Sequence, residues 1–236
     1  MVIAIAGAGG KTTVGSHIGK QLTAACRRVL FTTTTKIYMP ESEAVYLGEA
    51  AHIQADAGYM VAARQLLPNG KLEGYTPQDI AVIAALGLFD DIIVEADGAA
   101  RKPVKAPGDN EPVYPACVDL IIGVVGLDCL GQPTGSERVH RPELFRAVTG
   151  AAEGERISAQ HILSLISHPD GLFRHAPEGV PKVVFLNKYD IVSDAASQQA
   201  EEIIRKSSYP VLLTGYGRNW FGEFRRRFTN HQSKGE

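Results

Sequence analysis

The chain has 236 residues, 44% of them hydrophobic, enough to bury the core of one large domain. Its 24 Lys and Arg against 26 Asp and Glu leave a net charge of −2, without the basic surplus that a DNA or RNA partner calls for. The first apolar stretch runs about six residues before glycines interrupt it, too short for a signal-peptide core or a bilayer span. Cys26, Cys117 and Cys129 form no Cys-x-x-Cys pair, so the expectation is a cytoplasmic chain without disulfide framework or zinc knuckle and with neither nucleic acid nor membrane as partner.

In chain order, the apolar run Val2 to Ala6 predicts a buried strand that breaks into Gly7, Gly9 and Gly10 and continues as a helix from Lys11-Thr12-Thr13. Val14, Ile18, Leu22 and Ala25 keep helical spacing, and Val29-Leu30-Phe31 reads as a second buried strand. Residues 43–75, with Tyr46, Tyr59 and Tyr75 among scattered glycines, interrupt the alternation and are expected to add edge strands or a hairpin. A helix over 77–86 precedes a strand at Asp91 to Val94. Residues 98–117 carry Pro103, Pro107, Pro112 and Pro115 and predict an extended loop over the C-terminal strand ends. Further strands are expected at 120–125, 183–186 and 211–213, with helices at 142–149, 158–166 and 195–206. Such continuous apolar strands suit a parallel sheet covered on both faces. The fold class is α/β: one P-loop NTPase-like domain over 1–236, doubly wound, with a mostly parallel sheet, helices on both faces, and insertions near 43–75 and 98–117.

Three motifs sit at predicted strand ends. The first, Gly7-Ala-Gly-Gly-Lys-Thr-Thr, has the form of a phosphate-binding loop: glycines let backbone N–H groups turn toward an anion, and a helix N-terminus points at the same charge. Gly7, Gly9, Gly10, Lys11, Thr12 and Thr13 are the expected phosphate contacts, with the Thr12 hydroxyl on magnesium. Lys11 is expected to face ligand and to carry no core packing. The usual loop has a glycine six positions before its lysine, where this chain has Ile5; here Gly7 stands four before. The second motif, Glu95-Ala-Asp97-Gly98, places two carboxylates and a glycine at a strand end. Glu95 is the candidate magnesium ligand. Asp97 is either the competing ligand or the group that orients an attacking water, and the Gly98 amide is expected at the γ-phosphate. The third, Asn187-Lys188-Tyr189-Asp190, has the pattern of guanine recognition. The Asp190 carboxylate accepts from guanine N1–H and the 2-amino group, where adenine presents an acceptor; Asn187 would meet the base edge and the Lys188 stem its ring. A turn with a helix cap is the plainer reading of the same residues.

Thr32-Thr33-Thr34-Thr35-Lys36 follows the second strand, and Thr35 is a candidate to complete the magnesium shell, although threonine also suits strand ends. Arg101, Lys102 and Lys105 either meet an anionic substrate or are solvated. His140 and Arg141 precede a helix opened by Pro142 and Glu143, where His140 suits anion binding, proton transfer or a structural role.

Together with Gly126-Leu-Asp and Val139-His-Arg-Pro-Glu143, these blocks resemble the YqeC family of selenium-dependent hydroxylase accessory proteins over nearly the whole chain. The resemblance implies a place in the maturation of a selenium-dependent molybdenum hydroxylase, with that hydroxylase or its maturation enzymes as partners. The shortened loop is similar to that of Mur-type ligases, whose additional substrate domains do not fit this length. A more distant similarity is to the metallochaperone GTPases of hydrogenase and urease, without their His-rich or Cys-rich tract. The expected activity is magnesium-dependent binding and hydrolysis of GTP or another nucleoside triphosphate, with Lys11, Glu95 and Asp97 as catalytic residues. Two alternatives are a phosphotransferase or ligase acting on a small anionic substrate, and a nucleotide-gated binding module in which hydrolysis is incidental.

Overall fold

The computed structural model describes residues 1–41, 43–55, 58–216 and 219–229. Eight strands form the central sheet: β1 (Val2–Gly7), β2 (Val29–Thr33), β3 (Val45–Leu47), β4 (Tyr59–Ala63), β5 (Asp91–Glu95), β6 (Leu120–Gly126), β7 (Lys182–Asn187) and β8 (Val211–Leu213). Their spatial order is β8-β7-β6-β1-β5-β2-β4-β3, and every pairing between neighbours is parallel. The helices are α1 (Lys11–Ala24), α2 (Pro77–Ala85), α3 (Pro142–Thr149), α4 (Ala159–Ser167) and α5 (Asp194–Lys206), followed near the C-terminus by a short turn at Phe221–Phe224. This is the mostly parallel, doubly wound α/β architecture that the apolar runs predict.

The two-residue period of a strand sorts the core. Ile3, Ile5, Phe31, Ile93, Val124 and Phe185 pack with Val14 and Ile18 of α1 and with Trp220 and Phe224. Alternate positions face the other side: Ala4, Ile121, Val184 and Leu186 meet Ile162 of α4 and Ala200 of α5, while Val2, Leu30 and Val94 meet Ile80 and Ile83 of α2. Thr76 caps α2 in a reciprocal capping box with Asp79, and Ser158 caps α4.

The 43–75 insertion adds both features expected of it. β3 and β4 extend the sheet edge, while residues 65–66 and 71–73 form a hairpin that pairs antiparallel with Lys36–Tyr38. The proline-rich stretch is held closely: Lys102 O accepts from Gly9 N at 3.0 Å, Pro103 O accepts from Gly126 N at 2.9 Å, and Val104–Lys105 pairs with Val139–His140. Because all the sheet pairings run one way, the loops after β1, β2, β5, β7 and β8 emerge at one edge, with the order reversing at β1. That edge is where open α/β sheets bind ligands.

Candidate functional site

The loop after β1 is shaped by contacts that exclude side chains. A Cβ on Gly9 would lie 2.2 Å from Gly126 N and 2.6 Å from Pro103 O, and one on Gly10 would lie 2.4 Å from Asn187 Nδ2. Gly9 and Gly10 also hold φ of +89° and +122°, the region that favours glycine. The Gly7, Ala8 and Gly9 amides are engaged within the protein, by Asp97 Oδ2, Val124 O and Lys102 O. The donors offered to an anion are therefore the amides of Gly10 and of the first turn of α1, which has no side-chain cap.

Lys11 departs from the expectation of a ligand-facing side chain free of packing: it is only 4% exposed. Its Nζ donates to Gly7 O at 2.8 Å and lies 3.2 Å from Asp97 Oδ1 and 3.6 Å from Glu95 Oε1. Burial works against that charge, but the two carboxylates outweigh it and raise the Lys11 pKa. Burial raises the Glu95 pKa in turn, opposed by Lys11 and by the hydrogen bond from Thr12. The Thr12 hydroxyl donates to Glu95 Oε2 at 2.7 Å. Two hard oxygen donors from separate motifs thus meet at the helix start, a donor set that fits magnesium completed by phosphate and water.

Asp97 lies beneath the loop, 1% exposed, with Oδ2 accepting from Gly7 N at 3.1 Å and paired with Lys105 Nζ at 2.9 Å. It does not line the cavity above Lys11, whereas Glu95 and Gly98 do. Lys105, read from the sequence as a possible anion contact, is buried and bonds Gly98 O and Glu111 Oε2, both at 2.7 Å. Arg141 Nη1 closes the chain on Glu111 at 2.6 Å. Burial opposes ionisation of Glu111, but the hydrogen bonds from Arg141 and Lys105 prevail and bring its pKa down to about 2. Lys11, Asp97, Lys105, Glu111 and Arg141 therefore form one line of alternating charge from the phosphate loop into the proline-rich stretch. Nothing in the local spacing signals this, because a fully buried lysine is rare. His140, beside it, has its pKa lowered by burial and by Arg141 and Lys105.

Above Lys11 and Thr12 lies a cavity of about 470 Å³ that also reaches Thr13, Lys36, Lys71, Arg101, Lys102 and Lys188. Tyr38 forms part of its wall, with Arg101 over the ring at 4.4 Å and Lys71 at 4.9 Å. Thr35, the other candidate metal ligand, has its hydroxyl 3.1 Å from that of Thr33, which donates to Glu95 O.

The Asn187 motif borders a second, more apolar cavity of about 280 Å³, with His17, Ile191 and Trp220 among its walls. Asn187 Nδ2 donates to Gly9 O at 2.8 Å and its Oδ1 accepts from Thr214 Oγ1 at 2.9 Å, so this side chain ties the phosphate loop to the far strands. Lys188 donates to Asp128 at 2.7 Å. Asp190 is exposed at the cavity rim and accepts from Tyr216 N at 3.2 Å. Thr214, Gly215 and Tyr216 belong to this group although sequence reasoning passed over them; their position just after a strand end was the available signal.

A family model for YqeC protein matches residues 3–143. The chain is also 32% identical over 241 residues to the uncharacterized protein YqeC of Escherichia coli (strain K12), an alignment covering 97% of this chain and 92% of the relative. The chain belongs to the YqeC family. The family model takes in the phosphate loop and the Glu95 motif but stops before Asn187, which lies within the longer alignment to the relative. Among the described residues, no helix is long and apolar enough to cross a membrane.

Proposed function

We propose that this YqeC-family protein binds and hydrolyses a nucleoside triphosphate with magnesium, with a preference for guanine. One observation carries the reading: the Thr12 hydroxyl and the Glu95 carboxylate meet at 2.7 Å at a helix start, with Lys11 beside them, under a cavity lined by cationic side chains. With a triphosphate bound, Lys11 would turn from its carboxylate partners to the β- and γ-phosphates, and Thr12 and Glu95 would hold the metal. Magnesium, when bound, neutralises charge on those same oxygens. Asp97 keeps Lys11 and the Gly7 amide in place and acts as a positioning residue, in preference to the role on attacking water considered from the sequence. A role in maturing a selenium-dependent molybdenum hydroxylase follows from family resemblance alone, and no residue chemistry here speaks for selenium or molybdenum.

Glu95→Gln is expected to lower magnesium-dependent turnover about tenfold or more while changing nucleotide affinity much less, because it removes ligand charge with little change of shape. Steady-state turnover beside equilibrium binding measures this. A greater loss of magnesium dependence in Asp97→Asn than in Glu95→Gln would transfer the metal role to Asp97.

Guanine preference rests on Asp190 at the rim of the apolar cavity. An amide presents a donor where the carboxylate only accepts, so Asp190→Asn should weaken GTP and strengthen xanthosine triphosphate, each by roughly tenfold or more. Competition among GTP, ATP, CTP and XTP reads the change. Equal affinity of the wild type for all four, with no change in Asp190→Asn, would reduce the motif to a turn.

A further inference from the structure

Three of the cavities at the sheet edge form a row. The apolar cavity beside Asn187 shares Gly10, Thr13 and Lys188 with the cationic cavity above Lys11. That cavity in turn shares Lys36, Lys71 and Gly98 with a third, of about 540 Å³. The first and third share no residue. A nucleotide with its base in the first and its phosphates in the second has two neighbouring spaces beside its phosphates, this third cavity and one of about 710 Å³ that carries Glu41 and Glu43, and of the two the third is the one in which cations outnumber carboxylates.

The third cavity is electrostatically unbalanced. Lys36, Arg64 and Lys71 line it, and none of them has a carboxylate ion-pair partner among the described residues. Of its two carboxylates, Glu111 is already matched by Lys105 and Arg141, which leaves Glu73 alone against three cations. Thr34, Thr35 and Gly98 are also in the wall, and a Cβ on Gly98, which lines both cavities, would meet nothing within 4 Å. A magnesium-bound triphosphate keeps about two negative charges. The neighbouring cavity meets them with Lys11, Arg101 and Lys102; Lys36 and Lys71 line both cavities and Arg64 lines the third alone, so the cations along the two cavities exceed what the nucleotide needs.

We propose that this third cavity binds a small oxyanion, a carboxylate or a phosphate, as a cosubstrate beside the terminal phosphate of the nucleotide. The proposal rests on the nucleotide reading for its orientation, but the charge of the cavity is independent of it. Arg64 is the distinguishing residue: it lines the third cavity alone, its planar fork suits carboxylate and phosphate oxygens, and its backbone bond to Glu73 O survives side-chain replacement.

The test is calorimetric titration of the full chain, loaded with magnesium and a non-hydrolysable GTP analogue, with inorganic phosphate in one arm and succinate in the other. Saturable binding is expected in at least one arm, and the arm that binds names the oxyanion. Arg64→Ala should weaken that binding about tenfold or more and Arg64→Lys less, with analogue affinity unchanged in both. Absence of saturation in both arms, or equal oxyanion affinity in Arg64→Ala, overturns the proposal while leaving the nucleotide reading intact. If the analogue itself fails to bind, the nucleotide reading falls. The same titrations on the free chain then decide the cavity: binding lost in Arg64→Ala sustains it and no binding overturns it.

Discussion

Lys11→Ala is expected to weaken triphosphate binding by on the order of 100-fold or more, because it deletes the cation that meets the two phosphates carrying most of the charge. The side chain is buried and balances Asp97 and Glu95, so the same variant should also lose stability. Breaking a buried ion pair costs about 3–5 kcal/mol when the remaining charge is stranded. Here the cost should fall below that range, since Asp97 keeps Lys105 and the Gly7 amide, and Glu95, whose pKa burial already raises, can take up a proton. Calorimetry and denaturant unfolding on the same preparation separate the two effects. Unchanged affinity would remove the phosphate-loop reading whatever happened to stability.

Lys105→Met should act the other way round, with the larger effect on stability. Its ammonium meets Asp97, Glu111 and Gly98 O in a fully buried position, and methionine fills the volume without the charge. Two carboxylates at that point lose their common partner, but Asp97 keeps Lys11 and the Gly7 amide and Glu111 keeps Arg141, so the expected loss is about 3 kcal/mol, the foot of the range for a stranded charge. In a chain of this size that is a fall in thermal midpoint of roughly 10 °C. Because the proline-rich stretch supplies Lys102 O to Gly9 N, loosening it should also weaken nucleotide binding, though less than Lys11→Ala does. A midpoint within a degree or two of wild type would show that the line of charges from Lys11 to Arg141 does not hold this stretch in place.

The parts of the fold that follow local rules were legible in the sequence. A strand buried on both faces reads as an apolar run, and parallel pairing then carries every motif at a strand's C-terminal end to one edge. Lys11, Thr12, Glu95 and Asn187, distant in the chain, accordingly meet there. What was hidden depends on long-range pairing. Edge strands or a hairpin were expected in 43–75, but the bounds of Tyr59–Ala63 and its place inside the sheet, between the second strand and the edge, were not, because the glycines and tyrosines there gave no clean alternation. Lys105 looked like one more loop cation, and its burial exists only because Asp97 and Glu111 arrive from other segments. Asn187 matched a base-recognition pattern by type, yet both ends of its amide hold protein atoms, Gly9 O and Thr214 Oγ1, which no single-motif reading exposes. The surplus of positive charge around Lys36, Arg64 and Lys71 likewise arises only when the hairpin folds back over the second strand end.

The central claim, a magnesium-dependent triphosphate site built from Lys11, Thr12 and Glu95, is tested most directly by calorimetric titration of the full chain with GTP, ATP, CTP and XTP, each with magnesium and again with excess chelator. Saturable one-to-one binding is expected, tightest for GTP and markedly weaker once the metal is removed. No binding of any of the four triphosphates in the presence of magnesium would contradict it.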